Sequence, residues 1–456
     1  MDVQNISNLE SPLYNTLVSK AQRDPWTYSL LANVPSFSKS RVVVNAASTP
    51  PEANVAGGSH LFKIPRYGLL TKCVLRFKLK SGHSEDLTTA AAQNWNAKLG
   101  IYNWDDIALQ THNKRIQVLY PEYIHMRSTE KGVEKRQSSA NLSGRAFYTT
   151  ASQSAWKSGE YFYTELPFAF SERPQNFLDT RFVENLEIVA TQHGYTGNDK
   201  NFAALAAHVV NLSSPYVRYE SAPQLLCYYM NPTEELYRAY QERNFTLERP
   251  LTMLQYDVYR ESKSFSNMDL TSGDVDKRTF LLPLACNNLI FKTHIMIRQK
   301  RSKSCYNVAG DAIPTGLQRN DKFASIDTII IRGTSRELVN TTGFELLNID
   351  SQEYGRFVAA ADHASIAGGD TGATTHGAEA MYTINWGLDA SRASCSGAIS
   401  LKNVASPEIE VVCQQDTNAT QANVALTEFD FVVLHEYFQL VTIQGSDGRV
   451  SVGVAV

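Results

Sequence analysis

Two pairs of adjacent acids are the residues of this sequence that come nearest to an active-site pattern. Asp105-Asp106 and Glu234-Glu235 could supply the two carboxylates that glycoside hydrolysis requires. Adjacent residues of a strand point to opposite faces, however, and acids in the first turn of a helix complement the helix dipole. We therefore expect both pairs to be structural.

The histidines could serve acid–base catalysis or metal binding. His435-Glu436 lies inside the apolar run "FDFVVLHEYFQLVTI", where we expect a buried pair with satisfied polar groups. The ten histidines are scattered and show no His-x-x-x-His spacing. The sequence therefore indicates no metal site and no cluster of the kind that a cupin-type enzyme needs.

Phosphate-binding and nucleophile motifs are also missing from the sequence. The stretch "AGGDTGATTHG" (367–377) is rich in glycine but lacks the Gly-Lys-Ser/Thr that holds phosphate, so we interpret it as a surface loop. There is no Gly-x-Ser-x-Gly elbow. We expect no enzyme activity, no cofactor, and no catalytic, cofactor-binding or metal-binding residue.

The cysteines show no spacing typical of a metal site or a disulfide framework. We interpret them as reduced, mostly buried thiols of a cytosolic protein. They are Cys73, Cys227, Cys286, Cys305, Cys395 and Cys413.

A basic stripe could follow nucleic acid or could be the wet face of a half-buried strand. Arg76, Lys78 and Lys80 alternate with apolar residues in "LLTKCVLRFKLK". The chain has a net charge of −3 and a pI near 6.4, so no overall positive field attracts it to nucleic acid. We expect the stripe to face outward from a strand, with acidic partners on a neighbouring domain or subunit, and no sequence-specific binding of nucleic acid.

The elements that must position these residues are mostly strands. Short β-branched and aromatic runs separated by turns fill most of the 456 residues, a pattern typical of an all-β sandwich or jelly roll. The clearest helix is "PTEELYRAYQER", with Thr233 as its N-cap. Asp2 and Glu10 stand where a signal peptide needs basic and apolar residues, and charged residues interrupt the longest apolar run, so we expect neither secretion nor a membrane span.

Three segments recur at about half the length of the chain. "LLTKCVLRFKLK" and "LIFKTHIMIRQK" begin at Leu69 and Leu289, an offset of 220 residues. The Tyr-Thr pairs at 163 and 382 are offset by 219 residues, and the segments from Leu186 and Ile409 by 223. The constant order and offset predict two β domains of one design.

This repeat sets the expected domain boundaries. We expect an N-terminal arm with a short helix at residues 1–59, a first β domain at 60–232, a helix and connecting segment at 233–275, and a second β domain at 276–456.

The sequence resembles the double jelly-roll major capsid proteins of large or mid-sized eukaryotic double-stranded DNA viruses, the nucleocytoplasmic large DNA virus type. Segments that carry the resemblance are "FKIPRYGLLTKCVLRFKL", "LPFAFSERPQNFLDTRFVENLEI", "MNPTEELYRAYQERN", "LPLACNNLIFKTHIMIR" and "SGAISLKNVASPEIEVV". The order and spacing of these segments carry the likeness, which covers most of residues 60–452. The chain departs from the family at "LQTHNKRIQVLYPEY", which replaces a Gly-Gly turn, and at "SLKN", which replaces Asn-x-Ser-Arg.

The resemblance implies two tandem antiparallel jelly rolls and a structural role. The family forms pseudo-hexagonal homotrimeric capsomers that tile an icosahedral shell, with partners in neighbouring capsomers, vertex (penton) proteins and minor capsid proteins. It also implies location in the virion capsid, assembly inside the host cell in the cytoplasm, and contact of the N-terminal arm with an inner membrane or inner layer. The alternative is a tandem β-sandwich protein that binds carbohydrate or attaches to a host.

Overall fold

The described residues of the chain fold almost entirely into antiparallel sheets. The computed structural model describes residues 37–50, 58–81, 94–95, 99–112, 114–129, 161–171, 177–193, 207–208, 217–235, 237–238, 251–266, 278–299, 326–334, 336–348, 381–388, 397–413, 428–443 and 450–454. Within these ranges no helix is long and apolar enough to cross a membrane.

The first half of the chain forms a roll of two main sheets. Its strands are β1 (Phe37–Asn45), β2 (Ser59–Lys63), β3 (Leu69–Ser81), β4 (Asn94–Trp95), β5 (Trp104–Thr111), β6 (Lys114–Leu119), β7 (Tyr161–Leu166), β8 (Leu178–Asp179), β9 (Leu186–Gln192), β10 (Ala207–His208) and β11 (Val217–Pro232). One sheet has the order β1-β11-β3-β7, with β8 also paired to β3, and the other has the order β2-β9-β5-β6. β4 and β10 form a separate two-stranded pair.

The second half repeats this design. Its strands are β12 (Leu251–Ser266), β13 (Arg278–Pro283), β14 (Leu289–Gln299), β15 (Thr328–Gly333), β16 (Arg336–Thr342), β17 (Tyr382–Asn385), β18 (Ile399–Ser400), β19 (Glu408–Cys413), β20 (Glu428–Ile443) and β21 (Val450–Val454). The sheets have the orders β12-β20-β14-β17 and β13-β19-β15-β16, with β18 on β14 and β21 on β20. Each half is therefore a jelly roll with the same strand order.

The helices are short and connect strands. They are α1 (Leu99–Tyr102), α2 (Pro121–Thr129) and α3 (Gly343–Asn348), with 3-10 turns at Ala169–Ser171 and Leu401–Asn403. α2 and α3 follow β6 and β16 and hold equivalent places in the two rolls. A helical turn also follows Thr233, whose carbonyl accepts the N–H of Tyr237 at 2.9 Å, as the sequence predicts.

The sequence repeat corresponds to equivalent strands of the two rolls. β3 and β14, which contain the first matched pair of segments, occupy the same position in their sheets. β7 and β17 carry the Tyr-Thr pairs, and β9 and β19 carry the third pair. The prediction of two β domains of one design is confirmed.

Period-two burial explains why these segments form strands. Along β9 every second residue is buried, including Leu186, Ile188 and Ala190. The alternation places one face of the sheet in the core and leaves the other half-exposed. In the first roll Phe77 on β3 stacks on Phe162 of the neighbouring strand β7, with ring centroids 5.4 Å apart. Phe77 also meets the Trp104 ring on β5 of the facing sheet edge-on, so aromatic side chains pack between the two sheets.

The structure corrects the expected boundaries at the first strand of each roll. Residues 37–45, placed in the arm by the sequence, form β1 and pair with β11 along their whole length. Residues 251–266, placed in the connecting segment, form β12 and pair with all of β20. Both stretches contain polar residues at many positions, and the long ladders to β11 and β20 override that composition. The short helix expected in the N-terminal arm is not found at residues 37–50 or 58–59, and the rest of the arm lies outside the described residues.

Candidate functional site at the junction of the two rolls

An edge of the first roll is bonded directly to the second roll. The backbone N–H of Val118 on β6 donates to Oδ1 of Asp257 on β12 at 3.0 Å. Nε2 of Gln439 on β20 donates to the carbonyl of Ile116, also on β6, at 2.6 Å. Ile116 and Val118 are buried, at 5% and 7% exposure, so these bonds satisfy polar groups that water does not reach.

Asp257 is the central group of this junction. It is 9% exposed, and besides the Val118 N–H it accepts the hydroxyl of Tyr437 at 2.9 Å. Burial raises the pKa of the Asp257 carboxyl to about 6, because the low-dielectric surroundings disfavour the charged form. The bonds from Val118, Val258 and Tyr437 oppose the rise of this pKa, since they favour the carboxylate.

An ion pair bridges the rolls beside Asp257. Arg260 on β12 lies 3.6 Å from Glu122 in the first turn of α2, and the Glu122 side chain is only 4% exposed. The Arg260 guanidinium also lies over the ring of Tyr120, 5.8 Å from its centroid. The junction therefore places its charged groups in contact with partners from the other roll.

The histidine–acid pair of the sequence is buried, but its two members do not pair with each other. Glu436 accepts a bond from Nε2 of His294 on β14 at 2.8 Å, and neither side chain has exposed surface. His294 Nδ1 lies 2.9 Å from the hydroxyl of Thr383. His435 and Glu436 point to opposite faces because they are adjacent on β20. Burial is confirmed, and the expected partnership is wrong.

His435 has its own surroundings on the other face. Its Nδ1 lies 3.0 Å from the Thr293 hydroxyl, and its Nε2 lies 3.9 Å from Oε1 of Glu261. Burial, and secondarily the charge of His294, lowers the pKa of His435 to about 3, so the ring is neutral at pH 7. Glu261 instead accepts the N–H groups of Ala285 and Cys286, at 2.8 and 3.0 Å.

These polar groups have the chemistry of a structural junction. His294 and Glu436 are enclosed, so a substrate has no access to them. In the described part of the chain, no three side chains of His, Cys, Asp or Glu are grouped so as to hold a metal ion. Buried, mutually bonded polar groups of this kind define the geometry in which apolar surfaces meet.

The two pairs of adjacent acids are separated into unrelated contacts. Asp105 on β5 lies 2.6 Å from Nδ1 of His193, and Asp106 does not share this contact. Glu234 forms an exposed i,i+4 ion pair with Arg238 at 2.8 Å. The structure does not bring either pair together into a two-carboxylate site.

The basic stripe lies on the outer face of β3, as the sequence predicts. Arg76 donates from Nε and Nη2 to Oε1 of Gln224 at 2.9 and 2.7 Å. Arg76 and Lys78 both lie over the ring of Tyr161, at 4.8 and 4.5 Å from its centroid. Within the chain the contacts found for these two residues are with neutral groups of the same sheet, Gln224 and Tyr161. Acidic partners on a neighbouring subunit stay a prediction. The side chain of Lys80 lies outside the described residues.

The described cysteines are free and buried. Cys73 on β3 and Cys227 on β11 lie directly opposite each other, and Cys286 follows β13. Burial raises the pKa of the Cys286 thiol to about 11, which keeps it protonated. The side chains of Cys305, Cys395 and Cys413 lie outside the described residues.

Sequence reasoning missed the junction residues Asp257, Gln439 and Glu122. A signal was present for one of them, because Asp257 interrupts the apolar alternation of "LTMLQYDVYRE". An acid at a core-facing position of a strand needs a buried partner. The partner, a backbone N–H of β6, has no residue-type signature in the sequence.

Three solved structures share this architecture over nearly the whole chain. A quasi-atomic model of the PBCV-1 virus capsid matches with a TM-score of 0.63 at 13% identity, over 92% of this chain and 98% of that chain. The Faustovirus major capsid protein matches with a TM-score of 0.57 at 9% identity, over 96% and 98%. The mavirus major capsid protein matches with a TM-score of 0.51 at 13% identity, over 95% and 92%.

The chain has the double jelly-roll fold of viral major capsid proteins. No family model and no curated protein matches it. The resemblance seen in the order and spacing of the sequence segments is thus confirmed by the three-dimensional fold. At such low sequence identities the comparison shows the fold alone.

The titration of Asp257 gives a pH test of the double jelly-roll junction. Its folded pKa of about 6 lies above its ordinary value of 3.8, so its contribution is fully present below pH 3.8 and is lost as the pH rises through 6. Asp257→Asn keeps a carbonyl oxygen for the Val118 N–H and never ionises. We expect the variant to match the unchanged chain at pH 4 and to exceed it at pH 8 by up to about 3 kcal/mol, measured by urea unfolding.

Asp257→Ala is the matched control for this experiment. It leaves the Val118 N–H and the Tyr437 hydroxyl without their acceptor, so it should lower stability at both pH values. An Asp257→Asn protein that loses stability equally at pH 4 and pH 8 would contradict the prediction.

The basic stripe gives a second test. Replacing Arg76, Lys78 and Lys80 together with Gln should leave nucleic-acid retention unchanged and lower the stability of the chain only modestly, because exposed charge contacts contribute ~0.2–1 kcal/mol each. Absorbance at 260 and 280 nm of the purified protein measures retention. A steep loss of bound nucleic acid with an unchanged circular dichroism spectrum would show that the stripe binds nucleic acid.

Proposed function

We propose that this chain is the major capsid protein of a large or mid-sized eukaryotic DNA virus, with a structural role and no enzyme activity. The observation that carries the proposal is the pair of jelly rolls with one strand order. This arrangement matches two solved major capsid proteins over 95% or more of the present chain. The enclosed polar groups at the junction also suit a rigid building block.

The proposed assembly is a homotrimer. Two rolls of one design give each chain two similar lobes, and three chains around a threefold axis present six lobes in a nearly hexagonal outline. Closed rotational symmetry of this kind requires heterologous contacts, in which one side of a lobe meets a different side of its neighbour. Such tiles cover an icosahedral shell with one kind of chain, and a different protein fills the five-fold vertices.

The proposed partners follow from this role. They are other copies of the chain, neighbouring capsomers, vertex proteins and minor capsid proteins, in the virion capsid after assembly in the host cytoplasm. The residues that precede β1 are proposed to contact an inner layer or inner membrane. Sequence-specific binding of nucleic acid forms no part of the proposal.

The mass of the purified protein tests the trimer. We expect a particle of about 150 kDa, three times the 50.8 kDa of one chain, by light scattering, and a threefold particle with a pseudo-hexagonal face by negative-stain microscopy. Contacts between obligate subunits of this kind bury ~2,000 Å² or more in total, so the trimer should persist at micromolar concentration. A stable monomer or dimer would contradict the proposal, and binding to a glycan array in that state would favour the carbohydrate-binding alternative.

Removal of residues 1–36 tests the role proposed for the N-terminal residues. The deletion stops before β1, so the ladder to β11 remains complete. We expect a trimer with an unchanged β signal in circular dichroism that fails to build closed shells in negative-stain microscopy. Deletion of residues 1–45 is the control, because it also removes β1 and should destabilise the first roll. Closed shells from the 1–36 deletion would refute the proposed role.

A further inference from the structure

The edges of the two rolls correspond residue by residue. β6 pairs with β5 and β16 pairs with β15 in the same register, with a constant offset of 222 residues and a bulge at the same step, after Leu109 and after Ile331. Leu338 therefore holds the place of Ile116, and Asn340 holds the place of Val118. The same register points the N–H of Asn340 away from β15, as that of Val118 points away from β5.

The edge strands β1 and β12, which lie on the other side of each roll, correspond in the same way. Tyr229 pairs with Leu70 and Ser40, and Tyr437 pairs with Ile290 and Asp257. Ser40 on β1 thus holds the place of Asp257 on β12.

The side-chain amide that Gln439 contributes to the junction also has a counterpart in the first roll. Two residues beyond these tyrosines stand Asn231 and Gln439, so both rolls carry a carboxamide there. The Gln439 amide bonds to the carbonyl of Ile116 inside the chain. Its counterpart Asn231 donates to the Ser40 hydroxyl at 2.9 Å.

Among the described residues only one of the two equivalent junctions is formed. On β6 and β12 the junction residues Ile116, Val118 and Asp257 are buried, at 5%, 7% and 9% exposure. Their counterparts are more open, since Leu338 and Ser40 are half-buried and Asn340 is exposed. Val43, the counterpart of Arg260, is 41% exposed although it is apolar.

We propose that β1 of one copy packs against β16 of a second copy and repeats the internal junction between β12 and β6. The proposal rests on the proposed homotrimer and locates its subunit contact. The N–H of Asn340 then faces Ser40 of the neighbouring copy, and the Asn231 amide faces the carbonyl of Leu338. Every lobe of the six-lobed ring makes one kind of contact with the next, alternately within a chain and between chains.

Charge on the two surfaces is compatible with this contact. β1 exposes Lys39 and Arg41, while β16 and α3 expose Glu337 and Glu345 beside one base, Arg336. Opposite charge at the rim of an interface favours the correct pairing and speeds association. In the proposed contact Val43 packs against α3 of the neighbouring copy, as Arg260 packs against α2 within the chain. Burial of the Val43 side chain on association is favourable.

Disulfide cross-linking tests the contact directly. The variant carrying Ser40→Cys and Asn340→Cys is oxidised with copper phenanthroline and run on a non-reducing gel. We expect bands at two and three times the 50.8 kDa chain mass, absent from each single variant and from the unchanged chain, which sets the background of the native cysteines. The matched control carries Asp257→Cys and Val118→Cys, and its cross-link should stay within one chain and give no ladder.

A second pair of variants covers the case in which the double cysteine protein does not fold. Val43→Glu should weaken the trimer at least tenfold in dissociation experiments by analytical ultracentrifugation, with an unchanged circular dichroism spectrum. Leu281→Glu is the matched control, since Leu281 on β13 is equally exposed at 41% and lies outside the proposed contact. Its trimer should stay intact.

The outcomes separate this contact from the proposed function. A trimer by light scattering that gives no ladder from the folded double variant, or that survives Val43→Glu, overturns the contact and leaves the capsid role standing. The absence of any trimer from the unchanged chain overturns both.

Discussion

The hydrogen bond from the backbone N–H of Val118 to the buried Asp257 carboxylate is the constraint on which the arrangement of the two rolls depends. An edge strand that is covered by another domain loses water from its outward N–H groups, and each one then needs a protein acceptor. β12 supplies the acceptor as a side chain, which bonds to the first roll without continuing its sheet. The two rolls thereby stay separate lobes that are bonded at one defined place.

The other polar contacts of the junction act in the same sense. Apolar surfaces can pack in many relative positions, whereas Glu122 and Arg260 come within ion-pair distance of each other in few of them. Pairs of this kind add little net stability when the cost of desolvation is counted, but a misplaced junction would leave a buried charge without its partner. The specificity of the domain arrangement therefore comes from a handful of polar groups, and most of the stability comes from aromatic and aliphatic packing such as that of Phe77 on Phe162.

Duplication of one roll gives the chain two copies of each edge that meets at the junction. The junction uses one such edge from each roll, β6 from the first and β12 from the second. Their counterparts in the other roll, β16 and β1, are covered by no strand among the described residues. The residue types at equivalent places differ with their surroundings. β12 has the buried Asp257 at the place where β1 has Ser40.

The sequence by itself determined the all-β class and the two rolls, because period-two alternation and a repeat at constant offset are local properties of the chain. It also placed Arg76 and Lys78 on an outward face for the same reason. It did not find β1 or β12, since each is specified by a ladder to a strand that lies more than 160 residues away in the chain. Only the tertiary structure showed that Glu436 bonds to His294 and that Asp257 accepts a hydrogen bond from β6. The partner of a buried polar group is the group that folding brings next to it, and the spacing of residues along the chain does not reveal which group that is.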